Sequence, residues 1–302
     1  MQHAYRLSFL LLCATLAAGP ARAQSLLNGF MSGKGHGSLV VSGTTEKYQQ
    51  VFIPSRKVDS VPLFKRVQIN SLNVYGSYGI TDKIDVVVSL PYIQSTGEAE
   101  ATVLDDYRVR NPEKDYTNTR SGLQDVTGYL KFKAYSREVG DNILDLLGAV
   151  GVSTPASGYE SKQGEEYIIA IGNRATRFNT LGIAQLKMPS GVFFTGQAGY
   201  SLRSGRVPNA FVAETKVGYA GRKLYADAYV AFQQSSSKGT DIVQEGFDFF
   251  FPATQVNYTR IGGSLYRPIA KGLGLVAGAS LYVAGRNLGK SRAFSGGVSY
   301  NF

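Results

Sequence analysis

The stretch Asn70–Ile93, NSLNVYGSYGITDKIDVVVSLPYI, sets a pattern that the rest of the chain repeats with variations. Two alternating runs flank Ile80-Thr81-Asp82-Lys83, whose polar, Asx-containing composition suits a tight reversal. In the second run Ile84, Val86, Val88, Leu90 and Tyr92 share one face, and Asp85, Val87, Ser89, Pro91 and Ile93 the other. Side chains along a strand alternate with a period of two, so this is a continuous apolar face backed by a mixed one. No helical spacing accounts for it. What remains to be decided is whether that face meets a protein core or lipid.

The N-terminus bears on the choice. Arg6 supplies a positive start, Leu7 to Ala18 an apolar core, and Ala21-Arg22-Ala23 a small-residue cleavage site before Gln24. The apolar core is too short to span a bilayer, so residues 1–23 read as a secretory signal removed after Ala23. The single cysteine, Cys13, leaves with it, and the remaining chain has no disulfide, thiol nucleophile or thiolate metal site. Cleavage also removes Arg6 and Arg22 but no acid, lowering the net charge from +10 to +8. The basic residues are scattered through turns and loops, with no block of five or more, which argues against nucleic acid as a partner. After the signal no run approaches the length of a transmembrane helix. The chain has 35 Gly, 19 Tyr and 16 Phe but no Trp. Glycine and aromatics spread through alternating runs suit a transmembrane β-barrel, where small residues ease curvature and aromatics form girdles at the membrane surfaces.

Read in order, residues 24–36 are small, polar and aperiodic. They form an N-terminal periplasmic or lumenal segment, with Ser25–Gly35 a candidate lumenal plug. Residues 37–302 then carry twelve candidate strands. In the strand at 122–135, Val126, Gly128, Leu130, Phe132 and Ala134 fall on one face. Asp125, Thr127, Tyr129, Lys131, Lys133 and Tyr135 fall on the other, the clearest apolar-out, polar-in alternation in the chain. Connections after the even-numbered strands are short, and those after the third, fifth and ninth are long. Short turns on one rim and long loops on the other mark an outer-membrane barrel, with the short turns periplasmic. The loops after the seventh and eleventh strands are short for the outer side. The chain ends on Phe302, with Tyr300 and Val298 on its face, resembling the C-terminal assembly signal of Gram-negative outer-membrane proteins. That makes outer-membrane lipid and the outer-membrane assembly machinery the expected partners.

The fold class is therefore all-β, an antiparallel up-and-down barrel of about twelve strands. Closure satisfies the backbone polar groups that an open sheet edge would leave unpaired in hydrocarbon. Twelve strands about 4.8 Å apart and tilted about 40° give a backbone diameter of roughly 24 Å and a lumen about 10 Å across. The expected lumen-lining residues are Asp85, Asp125, Tyr129, Lys131, Lys133, Tyr135, Asp145, Arg203, Glu214, Lys216, Tyr225, Asp227 and Tyr229. They either plug the barrel with salt bridges and stacked tyrosines or line a path for small solutes. Phe247, Phe249, Phe250 and Phe251 sit in a long outer loop, where they cover the barrel mouth or capture an apolar solute. No catalytic, metal or cofactor site is expected. His36 lies in the aperiodic segment, and no HExxH, CxxC or P-loop spacing occurs.

Beyond the pattern itself, NSLNVYGSYGITDKIDVVVSLPYI resembles the "Y-x-x-YG(L/I)TD(K/R)…SLPY" hairpin of the meta-pathway phenol-degradation-like outer-membrane proteins. SGLQDVTGYLKFKAY (Ser121–Tyr135) is similar to that family's "GLGD(V/L)…(L)K(Y/F)" strand, matching at Gly122, Asp125, Lys131 and Phe132. Gly33-Lys34-Gly35 resembles its usual start. The resemblance spans most of the chain after the signal and implies an outer-membrane barrel that takes up small, often hydrophobic or aromatic compounds. These motifs describe a wall, not a binding site, and imply no catalytic residue. Two functions stay open: a channel or transporter, and a structural or interaction barrel with a closed lumen and adhesive or receptor loops.

Overall fold

The computed structural model describes residues 27, 29–54, 56–58, 64–99, 116–161, 168–245, 247–248 and 250–302. The expected signal at 1–23, most of the long polar connection expected at 99–121 after the third strand, and Phe249 lie outside the described residues. The segments in chain order are β1 (Gly37–Tyr48), β2 (Val51–Ile53), β3 (Arg56–Val58), β4 (Arg66–Thr81), β5 (Ile84–Ala99), β6 (Tyr116–Leu123), β7 (Asp125–Val139) and β8 (Asn142–Pro155). They continue as β9 (Arg177–Lys187), β10 (Val192–Arg203), β11 (Ala210–Ala220), β12 (Tyr225–Ser235), β13 (Asn257–Pro268), β14 (Leu273–Arg286), β15 (Leu288–Gly289) and β16 (Arg292–Asn301). Among the described residues no helix is long and apolar enough to cross a membrane.

Thirteen of these segments form one antiparallel sheet closed on itself. β6 and β7 run end to end along β5, interrupted only at Gln124, so the thirteen segments make a twelve-strand barrel. Closure runs through β1, which pairs β16 from Ser38↔Asn301 to Lys47↔Arg292 and β4 on its other side. The hairpin β4–β5 turns at Asp82-Lys83, with an irregularity between Gly79 and Thr81. On β5, Asp85, Val87 and Pro91 are buried while Val88 and Tyr92 are exposed, so the two faces divide as the alternation requires. The exposed side of the whole barrel is a belt of large apolar groups; Leu72, Leu202 and Leu265 are each 51% exposed. A water-facing surface does not sustain such a belt. Its chemistry is that of a wall solvated by hydrocarbon.

The structure departs from the sequence reading in three places. β6, YTNTRSGL, continues the barrel wall where the composition suggested a loop. Above the hydrocarbon zone either face of a strand can be polar, so alternation stops marking it. The sequence pattern carries the first strand on to about Phe52, but Val51–Ile53 leaves the barrel after Tyr48 and joins β3 and β15 in a small three-stranded sheet at the long-loop end. The third departure concerns Tyr135. Lys133 stands opposite Leu147 but Tyr135 opposite Leu146, so Ala134 is an extra residue and the alternation resets. Tyr135 therefore points away from the lumen, 48% exposed, and corrects the expectation that it lines it. Ser136 takes the inward place, its hydroxyl donating to Asp145 at 2.6 Å.

Candidate functional site in the barrel lumen

The residues before β1 fold back into the barrel from the short-turn rim. There the Gly35 N–H donates to the Gly79 carbonyl and the Gly79 N–H to the His36 carbonyl, both at 2.9 Å. The Lys34 N–H donates to Asp82 at 3.0 Å. A methyl group at Gly79 would overlap the Gly33 backbone, so this close approach requires glycine. Further in, the Ser32 N–H and hydroxyl donate to Asp85 at 3.0 and 3.2 Å, and the Lys131 ammonium donates to the Phe30 carbonyl at 2.5 Å. The Phe30 ring stands edge-on to Phe193 at 5.1 Å. Leu27 exchanges backbone hydrogen bonds with the Gln197 amide, receiving from its nitrogen at 3.1 Å and donating to its oxygen at 3.3 Å. Around Leu27 cluster the inward-facing Val87, Leu147, Ala149, Leu181 and Ile183. Those apolar positions break the polar-in rule because they face this segment rather than water.

The charges around the segment are matched. Asp85 is fully buried and lies 3.2 Å from Lys131, which is 3% exposed. Asp145 meets Lys187 at 2.6 Å and Lys133 at 3.8 Å. Lys216 lies between Glu214 and Asp227, at 3.6 and 3.7 Å. Asp227 also accepts from the Tyr225 hydroxyl at 2.7 Å and the Ser264 hydroxyl at 2.9 Å. Tyr229 is buried on the same face, with Lys216 and Arg260 both about 6 Å from its ring, at 5.9 and 5.8 Å.

Toward the long-loop rim the walls change character. The loop between β8 and β9 tucks inward: Ile169 is fully buried, and the Tyr48 hydroxyl donates to the Ile168 carbonyl at 3.2 Å. The Tyr159 hydroxyl donates to Asp125 at 2.6 Å, and Arg177 reaches the other oxygen of that carboxylate at 2.7 Å. Burial, reinforced by Asp125, pushes the Tyr159 phenol above its ordinary range, so it remains a donor. Gln124, at the break between β6 and β7, donates to the Ile171 carbonyl at 2.5 Å and so ties the same loop to the wall. Arg203 donates to Ser201 at 3.4 Å and to the Gln233 side-chain oxygen at 3.1 Å. Arg260 lies 5.8 Å from the Tyr282 ring, which meets Tyr258 edge-on at 5.2 Å. A cavity of about 940 Å³ runs beside the N-terminal segment. It is lined at one end by His36, Gly221 and Phe302, in the middle by Ser38, Ser42, Asn73 and Tyr129, and at the other end by Arg203, Gln233 and Tyr258.

Sequence reading therefore located the charged wall but missed Arg177, Arg260 and Tyr258, which lie on strands with weak alternation. The one signal was Tyr258 and Arg260 at alternate positions near the start of β13; Arg177 had none. At the outer mouth Phe247 and Phe251 meet edge-on at 5.2 Å, and the Arg206 guanidinium lies 4.6 Å above the Phe250 ring while pairing with Asp248 at 2.5 Å. These described phenylalanines are half-buried against the mouth. At the opposite rim Val298 and Tyr300 face outward, and the terminal Phe302, stacked on Tyr300 at 6.0 Å, sits on the rim itself and also borders the cavity.

The barrel is similar in fold to the COG4313 outer membrane channel from Pseudomonas putida F1, at 12% sequence identity and a TM-score of 0.65, covering 92% of this chain and 100% of that one. Similarity to the β domain of the Bordetella autotransporter BrkA is lower, at 14% identity and TM-score 0.46, covering 88% of this chain and 100% of that one. The TodX monoaromatic hydrocarbon channel mutant aligns at 8% identity and TM-score 0.37, over 89% of this chain and 90% of that one. No family model matches the chain, and no curated protein does. The fold is thus that of an antiparallel twelve-strand β-barrel of the outer-membrane type.

Proposed function

We propose that this protein is an outer-membrane channel that admits small, apolar or aromatic compounds. The observation that carries the reading is the cavity reaching from Arg203 and Tyr258 near the long loops to His36 and Phe302 at the short-turn rim. The docked N-terminal segment narrows this path without filling the barrel's cross-section. Tyrosines and serines line the remaining passage, a surface that tolerates an aromatic ring while offering hydrogen bonds along the way. Residues 1–23 direct export in this reading, and Val298, Tyr300 and Phe302 guide assembly into the outer membrane. Phe247, Phe250 and Phe251 offer apolar surface at the mouth. The resemblance to meta-pathway phenol-degradation-like proteins and the likeness to the Pseudomonas putida channel support the same direction.

One observation favours a second reading. The segment is anchored by a fully buried carboxylate and an apolar cluster, as a permanently closed, structural barrel would need. Uptake of a labelled small aromatic solute by cells that carry the barrel, compared with cells that lack it, separates the two. Faster uptake in carriers supports the channel. Equal uptake at equal barrel abundance favours the closed barrel.

A further inference from the structure

We propose that the outer half of the lumen contains a binding subsite for the carboxylate of a small aromatic acid, with Arg203 and Arg177 as its recognition pair. The inference deepens the channel reading and rests on the lumen being a solute path.

Arg177 and Arg203 stand directly opposite each other on the β9–β10 ladder, and both line the cavity. Like charges in that relation repel, so the pair needs an anion nearby. Asp125 supplies one negative charge and gives it to Arg177. The Arg203 guanidinium is held only by Ser201 and Gln233, both neutral, and among the described residues no carboxylate lies within ion-pair distance of it. Among the described residues the other inward carboxylates are committed elsewhere: Asp85 to Lys131, Asp145 to Lys187, and Glu214 and Asp227 to Lys216 deeper in the barrel, while Glu46 on β1 faces the Arg260 and Tyr282 side of the lumen. The Nε of Arg177 is also buried with no hydrogen-bond partner. A buried donor left unmade is costly, so this atom points to an acceptor that the protein does not itself provide.

The chemistry of the missing group follows from the surroundings. One uncompensated cation calls for a monoanion. Planar guanidinium forks suit a carboxylate, whose two oxygens accept parallel N–H bonds. Gln233, which orients Arg203, stands opposite Tyr258 on the β12–β13 ladder, and Tyr258 packs edge-on with Tyr282. An aromatic body attached to the carboxylate would lie against this pair, whereas a bare inorganic ion or a short aliphatic acid would leave it unused.

Equilibrium dialysis of the refolded full chain, in neutral detergent near neutral pH and at low salt, tests the subsite with labelled benzoate, benzamide and acetate. Benzoate is expected to bind about tenfold or more tightly than either comparator, since a hydrogen-bonded charge is lost in one and the ring in the other. Arg203→Gln should weaken benzoate about tenfold and leave benzamide unchanged; Arg203→Lys, which keeps the charge but not the fork, should fall between. Arg177→Gln provides a second variant should folding of the first be impaired. Benzoate retained no better than benzamide or acetate, or bound equally by folded Arg203→Gln, would overturn the proposal. Binding is read without transport, so lost binding in a barrel that still speeds uptake refutes the subsite alone. Intact binding without uptake refutes the channel reading.

Discussion

The two halves of the lumen are built from the same alternating strands but solve different problems. Near the short turns the space is occupied by the N-terminal segment, and each inward carboxylate meets a lysine: Asp85 with Lys131, Asp145 with Lys187 and Lys133, Glu214 and Asp227 with Lys216. Apolar groups that would be misplaced in a water-filled pore, Val87, Leu147 and Ile183, are covered by Leu27 and Met31. Near the long loops, arginine replaces lysine, tyrosines gather round it, and the cavity stays open. The contrast teaches where stability and function divide. The inner half pairs its carboxylates with lysines and covers its apolar groups, while the outer half keeps at Arg203 a cation that no carboxylate meets among the described residues.

Substitution on either side should expose that difference. Lys131→Met leaves the fully buried Asp85 without its cation, and breaking such a pair costs about 3–5 kcal/mol. Denaturant unfolding of the refolded barrel should show a loss of that order, with the N-terminal segment becoming sensitive to protease. In the outer half, Arg203→Gln removes a repelling charge, so stability should change by only about 0–1 kcal/mol, toward greater stability. Comparable losses for the two variants would erase the distinction between the halves.

Gly29 offers a steric version of the same test. A methyl group there would overlap the side-chain oxygen of Gln185, a residue buried on the inward face of β9. Gly29→Val should therefore loosen the segment and raise single-channel conductance several-fold while barrel assembly, read by gel mobility with and without heating, is unchanged. Unaltered conductance would mean that the segment does not set the width of the path.

The smallest effect belongs to the long-loop rim. Arg286 beside Asp241 holds its carboxyl below the usual carboxylate range, and Asn287 adds a hydrogen bond at 2.9 Å. A depressed acid contributes stability that is fully present above its unfolded value and is lost as pH falls through the folded one. The loop between β12 and β13 should thus gain protease sensitivity only under acid conditions, below the ordinary titration of aspartate. Asp241→Asn should show that sensitivity already at neutral pH.

Much of this was legible in the sequence. The hairpin at Asn70–Ile93 carries its faces openly because lipid demands an apolar side and the lumen a polar one. Twelve strands follow from the same rule, and so do Asp85, Lys131, Glu214 and Asp227 as inward residues. What escaped detection lay where that rule has no force. Tyr135 turned outward because a single inserted residue, Ala134, leaves no mark in a polar stretch. β6 rises above the hydrocarbon zone, where alternation is not required. The cross-strand pairing of Arg177 with Arg203 depends on register between neighbouring strands, which composition does not reveal. Nor could the strand pattern explain Leu147 and Ile183 as inward apolar residues, since their partner is a segment without periodicity.

The central claim, a solute path running beside a docked N-terminal segment, meets its most direct test in planar-bilayer recordings of the full chain and of a variant lacking residues 24–36. A small, steady conductance in the full chain, rising several-fold on deletion, is the expected result. No conductance from either protein, or the same conductance from both, would contradict it.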